Sequence, residues 1–260
     1  MPFVVYILVG WGFIFASLIM TGLTLGKHAV IALLKRILLW RVALKWYLVA
    51  FLFFPAINLG AVYLNAGLAG SSVDFSTVFA YNIFGPSANL PLLVVPFLLF
   101  DAVANGEEMG WRGYVLPRLQ AKHRALVSSL NLGLTRGFWH LPKFLAPGST
   151  SSFALFMVDT VAKAVLYTWL YNNTKGSLLL VTLFHAAGNK AGVFLPVANT
   201  VSGNNMVTLV LVVAMEIVVA ILITAMAGPA HLSRTEKRLV QELAPISARP
   251  GPVVQPEGSS

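Results

Sequence analysis

Residues 90–118 read LPLLVVPFLLFDAVANGEEMGWRGYVLPR, an apolar run long enough to cross a bilayer that carries Glu107, Glu108 and Arg112 inside it. A carboxylate at membrane depth costs about 2.5–3.5 kcal/mol on insertion scales, so a buried acidic pair is read first as a functional site. The chain holds nine acidic residues in all, and the other three in apolar runs, Asp101, Asp159 and Glu216, have no acidic neighbour in sequence. Glu108 and Arg112 are spaced i,i+4, so they share a helix face and pair; that reading alone is a structural ion pair. Glu107 points about 100° away around the helix and is left for another task.

The composition around this segment excludes an ordinary soluble domain. The chain is 57% hydrophobic and 10% charged, with a mean hydropathy of +0.78, against about 25% charge in soluble domains. The net charge of +9 lies between apolar runs, which favours anionic lipid headgroups as partners over nucleic acid. With no cysteine, thiolate catalysis, disulfides and sulfur-ligated metals are excluded. The fold class is therefore all-α, a polytopic transmembrane helix bundle of about seven spans with a polar site within the membrane. The spans are read at 3–26, 46–68, 90–118, 124–142, 152–172, 177–198 and 205–227. The first is read as a membrane helix and not a removed signal. The third is expected to kink or tilt, given Pro91, Pro96, Gly106, Gly110 and Gly113, and Pro142 is expected to end the fourth.

Basic residues mark one side. Lys27, Lys35, Arg36, Arg41 and Lys45 fill the first connection, Arg118, Lys122 and Arg124 the third, Lys175 the fifth, and Arg234, Lys237, Arg238 and Arg249 the tail. The intervening connections 69–89, 143–151 and 199–204 are nearly bare, which places the N-terminus outside and the C-terminus in the cytosol. Trp40, Trp46 and Trp169 then fall at the inner interface, and 28–45 reads as an amphipathic segment lying on the inner leaflet. Residues 1–228 form one membrane domain, with the motifs in 90–198; residues 229–260 read as a disordered cytosolic tail.

Three further polar groups sit in the spans. His140 ends the fourth, in Trp-His-Leu-Pro, and His185 with Asn189 shares a face of the sixth. Each alone also fits interhelical hydrogen bonding, and Gly133-x-x-x-Gly137 and Gly188-x-x-x-Gly192 allow close helix approach. At 1.5 Å per residue, Glu107, His140, His185 and Asn189 lie about 12–24 Å from the cytosolic turns, so three helices can bring them to one pocket. Asp159 and Lys163 read as a self-neutralised structural pair. Asp101 and Lys190 are near enough in sequence to tune the field of the site. Glu216 has no reading, and His28, His123 and His231 are expected to be solvated.

The ordered set Glu-Glu-x-x-x-Arg, Trp-His-Leu-Pro and His-x-x-x-Asn over residues 90–198 resembles the CPBP family, the CAAX protease and bacteriocin-processing membrane proteins. Where that family usually has phenylalanine four residues before the histidine, this chain has Arg136. Such an arginine neutralises a glutamate or binds a substrate carboxylate. The resemblance implies an intramembrane endopeptidase acting on a membrane-associated or lipidated substrate. Glu107 would be the general base toward water with His140 beside it, His185 and Asn189 the oxyanion donors, and Glu108 and Arg112 the holders of the helix geometry. It implies no obligatory cofactor, although Glu107, His140 and His185 are the ligands a zinc version of the same hydrolase, a metalloprotease, would use. A non-catalytic immunity or scaffold protein and a transporter are the readings from other classes. The membrane expected is a prokaryotic plasma membrane.

Overall fold

The computed structural model describes residues 3–146, 152–197 and 206–233, and over these the chain is helical throughout its regular structure. In chain order the helices are α1 (Phe3–Leu25), α2 (Lys27–Ile37), α3 (Leu44–Leu68), the one-turn α4 (Ala80–Phe84), α5 (Leu90–Ala104), a π-helical turn (Met109–Val115), α6 (Leu116–Gln120), α7 (Ala125–Trp139), the short α8 (Leu141–Leu145), α9 (Phe153–Asn173), α10 (Leu178–Phe194) and α11 (Met206–Ala227). Leu44–Leu68, Phe153–Asn173 and Met206–Ala227 are long and apolar enough to cross a membrane. A fourth crossing is reached if Leu90–Ala104 and Met109–Gln120, bent by 49°, count as one broken span. Gly10–Leu25 and Leu178–Phe194 are apolar but shorter, so the length test is met by fewer segments than the seven expected. The expected connection 199–204, residues 147–151 of the expected connection 143–151, and the tail from 234 lie outside the described residues.

The centre of the bundle is α9 and α10. α9 packs against α7, α11 and α10, while α10 also takes α3 and α5. Their shared core is aromatic: Phe54 and Phe184 have ring centroids 4.5 Å apart, and the Tyr167 ring meets Phe184 edge-on at 5.1 Å. Outward-facing Leu52, Tyr63, Val218 and Ile221 are exposed, as lipid-facing positions of a membrane bundle are. Gly133 and Gly137 bring α7 close to α9. A Cβ on Gly133 would stand 2.7 Å from Val161 Cα and 3.0 Å from Ala164 Cβ. Of the second small-residue pair, Gly188 packs on Phe54, while Gly192 has open space around it.

The third segment breaks at one point. α5 carries Pro96 within it and still runs to Ala104; the turn comes at Asn105, whose backbone is extended, and Gly106. Of the positions marked in sequence for a kink, the break falls at Gly106, where a side chain would strike Ile14 of α1, and not at the prolines. The chain then re-enters as a widened turn, and π turns of this kind concentrate at functional sites. Gly110 and Gly113 lie against Phe13 of α1 and Leu33 of α2.

The basic first connection is α2, whose Leu33 is buried while Ile31, Leu34 and Ile37 are exposed. Arg36 Nη1 donates to the Tyr171 hydroxyl at 2.8 Å, tying this helix to α9. Trp46 and Trp169 pack edge-on at 5.1 Å. Beyond α11 the chain stays structured to residue 233. The amides of Ala125 and Leu126, at the start of α7, donate to the carbonyls of Ala230 and Pro229 at 2.9 and 3.0 Å. Asn172 and Asn173 donate to the carbonyls of His231 and Leu232. The first residues of the expected tail thus cap α7, and His231 is partly buried instead of solvated.

Gly133→Ala is expected to lower stability in detergent by about 1–3 kcal/mol, as overpacking of a tight core does. Gly192→Ala should stay within about 0.5 kcal/mol of wild type. Thermal or denaturant unfolding of the two variants side by side measures the difference.

Candidate active site

Glu107 and Glu108 stand at the start of the re-entering turn, directly after the break. Glu108 is fully buried. Its Oε1 accepts from Arg112 Nη1 at 3.1 Å and from His185 Nδ1 at 2.8 Å, and its Oε2 lies 3.1 Å from Arg112 Nη1. The Arg112 guanidinium, also fully buried, sits over the Tyr167 ring at 4.6 Å from its centroid. His185 stacks on the same Tyr167 ring, with centroids 5.8 Å apart and planes 27° apart. A carboxylate removed from water needs this degree of charge pairing and hydrogen bonding.

His185 is committed at both ring nitrogens. Glu108 takes the Nδ1 proton, which leaves Nε2 as the lone-pair nitrogen. Two donors face it: Asn105 Nδ2 at 3.2 Å and Arg136 Nη2 at 3.1 Å. Asn105 also accepts from the Glu107 amide at 3.1 Å through Oδ1, so the residue at the helix break binds both halves of the site.

Glu107 is the more accessible carboxylate, with its side chain 13% exposed against 1% for Glu108. Arg136 of α7 holds its Oε2, with Nε and Nη2 both at 3.3 Å. The remaining oxygen, Oε1, lies 3.9 Å from His140 Nε2. His140 Nδ1 is 2.9 Å from the Arg136 carbonyl oxygen. A carbonyl only accepts, so Nδ1 carries the proton and the Nε2 lone pair of a neutral ring faces Glu107. Phe156 flanks that ring at 5.2 Å.

The structure therefore brings Glu107, Glu108, Arg112, His140 and His185 together, and adds Arg136, Asn105 and Tyr167. Asn189 stands apart. Its Nδ2 donates to Asp101 Oδ2 at 2.9 Å, and Lys190 Nζ meets Asp101 Oδ1 at 2.9 Å, forming a second polar layer one helical turn along α5 and α10. Asp101 thus has a defined partner set where the sequence suggested only a field effect. Asn105 and Tyr167 were not singled out in sequence; an asparagine before Gly106 is a helix-end signal, but nothing marked it as a bridge. Lys163 pairs with Asp159 at 2.8 Å as its spacing implies, and also lies 3.8 Å from Glu216 Oε1, which explains a residue the sequence left without a role.

A zinc-binding set of Glu107, His140 and His185 does not suit this arrangement. A metal ligand needs a free lone pair, and His185 Nε2 faces two N–H donors, one of them cationic. Among the described residues no three histidine or acidic side chains are grouped so as to hold an ion.

Comparison with known proteins agrees with the region. Residues 87–191 match the family described as Type II CAAX prenyl endopeptidase Rce1-like. The chain is 28% identical over 154 residues to CAAX prenyl protease 2 of Methanococcus maripaludis, covering 55% of this chain and 54% of that relative. The chain spans about half the length of the curated relative it matches. Residues 87–191 are thus similar to the Rce1-like CAAX prenyl endopeptidases, in the region where the motif order suggested a resemblance. Its apolar helices, together with this similarity, support an integral membrane protein.

Arg112→Ala leaves the buried Glu108 charge uncompensated and should cost about 3–5 kcal/mol of stability, whereas Glu108→Gln combined with Arg112→Met should cost less than the single change. A double-mutant cycle by denaturant unfolding reads both values.

Proposed function

We propose that this protein is an intramembrane endopeptidase that hydrolyses a peptide bond of a membrane-associated or lipidated substrate with water activated by Glu107. The observation that carries the reading is the facing pair Glu107 Oε1 and His140 Nε2, two proton acceptors 3.9 Å apart beside a cation. Water seated against both loses a proton to Glu107 or His140 as its oxygen attacks the scissile carbonyl carbon. The carbonyl π pair moves onto oxygen, and the tetrahedral anion then collapses with cleavage of the C–N bond. The departing amine takes up the proton that the base had received. Glu108, Arg112 and Tyr167 fix His185 and the turn that carries Glu107; they are positioning residues.

The relative named a CAAX prenyl protease supports a substrate in which the cleaved peptide follows a lipid-bearing cysteine. The basic residues Lys35, Arg36, Arg118, Lys122 and Arg124 support an inner-leaflet face for α2 and for the turn after α6, with the N-terminus outside and the C-terminus in the cytosol. Anionic lipids are the surrounding partner on that face.

Purified protein in detergent, given an S-farnesylated fluorogenic peptide, should cleave it. Glu107→Gln and His140→Ala should lower kcat/KM by about 10²–10⁴-fold while both variants remain folded in detergent. A chelator should leave the rate within about twofold of the untreated enzyme, because a catalytic zinc would make it fall far more. Failure of the wild type to exceed Glu107→Gln on any lipidated or hydrophobic peptide refutes the reading.

A further inference from the structure

We propose that Arg136 is the catalytic electrophile of this chain: its guanidinium holds the oxyanion of the tetrahedral intermediate, in place of His185 and Asn189. This rests on the hydrolase reading and concerns the one position where the motif departs from its family.

Three observations lead to it. First, the two residues expected to donate are occupied. His185 Nε2 is an acceptor between Asn105 and Arg136, and the Asn189 amide is bound to Asp101 in the next polar layer. Second, Arg136 is buried to 8% exposure at the base itself, 3.3 Å from Glu107 Oε2, and it is held from both sides. Third, its donors are not exhausted. Nε and Nη2 serve Glu107 and His185, while no contact among the described residues accepts from Nη1, whose two N–H groups lie in the same rigid fork. Gly133 and Gly137 seat α7 firmly on α9, so the fork is preorganised, as oxyanion donors must be.

Placement separates this role from recognition of a substrate carboxylate. A group in contact with the base is at the scissile bond. In an endopeptidase substrate each further residue carries the terminal carboxylate about 3.3 Å away along an extended chain. The charge also balances through the step. As the water proton reaches Glu107 Oε1, the carboxylate releases its hold on Arg136 while negative charge appears on the carbonyl oxygen. The guanidinium thus exchanges one anionic partner for another.

The test uses the full chain in detergent, with Arg136→Gln, Arg136→Phe and Arg136→Lys assayed on the farnesylated peptide. Expected are kcat losses of at least about 100-fold for glutamine and phenylalanine, with KM within about threefold, an intermediate loss for lysine, and partial recovery of Arg136→Gln by added guanidinium ion. A rise in kcat for Arg136→Phe would identify a restraining latch and overturn the proposal. A change in KM alone, lost when the peptide is C-terminally amidated, would identify carboxylate binding and also overturn it. A second measurement does not need turnover: binding of a phosphinate peptide, whose centre is tetrahedral and anionic, against the parent peptide. The wild type should prefer the phosphinate by at least about tenfold more than Arg136→Gln does. Equal preference refutes the role of Arg136 even in a properly folded variant, while an inactive wild type that keeps this difference refutes the hydrolase reading and leaves the anion site standing.

Discussion

The buried carboxylate of Glu108 is the constraint from which the rest of the site follows. In apolar surroundings it must be paired, and Arg112 on its own turn does not complete the shell. It draws His185 across from α10 at 2.8 Å, and this bond selects the ring tautomer. Once Nδ1 donates, Nε2 accepts, and Arg136 and Asn105 become its partners. Those same two residues hold the side chain and the backbone amide of Glu107. A buried ion pair is thus linked through one imidazole to the carboxylate proposed as the base. Adjacent glutamates divide the work because neighbouring positions on a helix face different directions.

The irregular backbone serves the same end. A continuous helix through residues 90–118 would hide its amide groups in its own ladder and offer neither an amide nor a bent approach. The break at Asn105 and Gly106 frees the Glu107 amide for the Asn105 side chain and turns the carboxylate pair toward α7 and α10. Non-helical backbone at membrane depth is tolerated where protein covers it, and α1 supplies that cover through Ile14 and Phe13.

The apolar segments, the acidic pair and the order of its partner motifs were legible in the sequence because each depends on spacing along one helix. Glu108 with Arg112 and Asp159 with Lys163 are such cases. What spacing does not contain is the rotation of one helix against another. His185 and Asn189 share a face, yet one turn along α10 is enough to give them different partners, Glu108 and Asp101. Glu216 meets Lys163 only because α11 lies on α9. The kink was expected with Gly106 among its marked positions, but spacing did not choose between the glycines and the prolines; the decisive fact is the approach of α1 to Gly106.

Arg136 changes the electrostatics of the motif as well as its geometry. With phenylalanine there, Glu107 would be an anion in the bundle with no cation in contact, and the site would hold two carboxylates against Arg112 alone. With arginine the two carboxylates face two guanidinium groups, and the resting site is neutral. Creating an oxyanion in such a place is costly only if net charge changes, since an added buried charge carries a desolvation penalty of several kcal/mol. In the proposed step, transfer of the water proton to Glu107 would remove one negative charge as the carbonyl oxygen gains one, so the total would be preserved. The cation does not have to arrive or reorient; it is already within the network that the departing charge leaves. A preorganised, charge-conserving exchange of this kind is what a low-dielectric site rewards most.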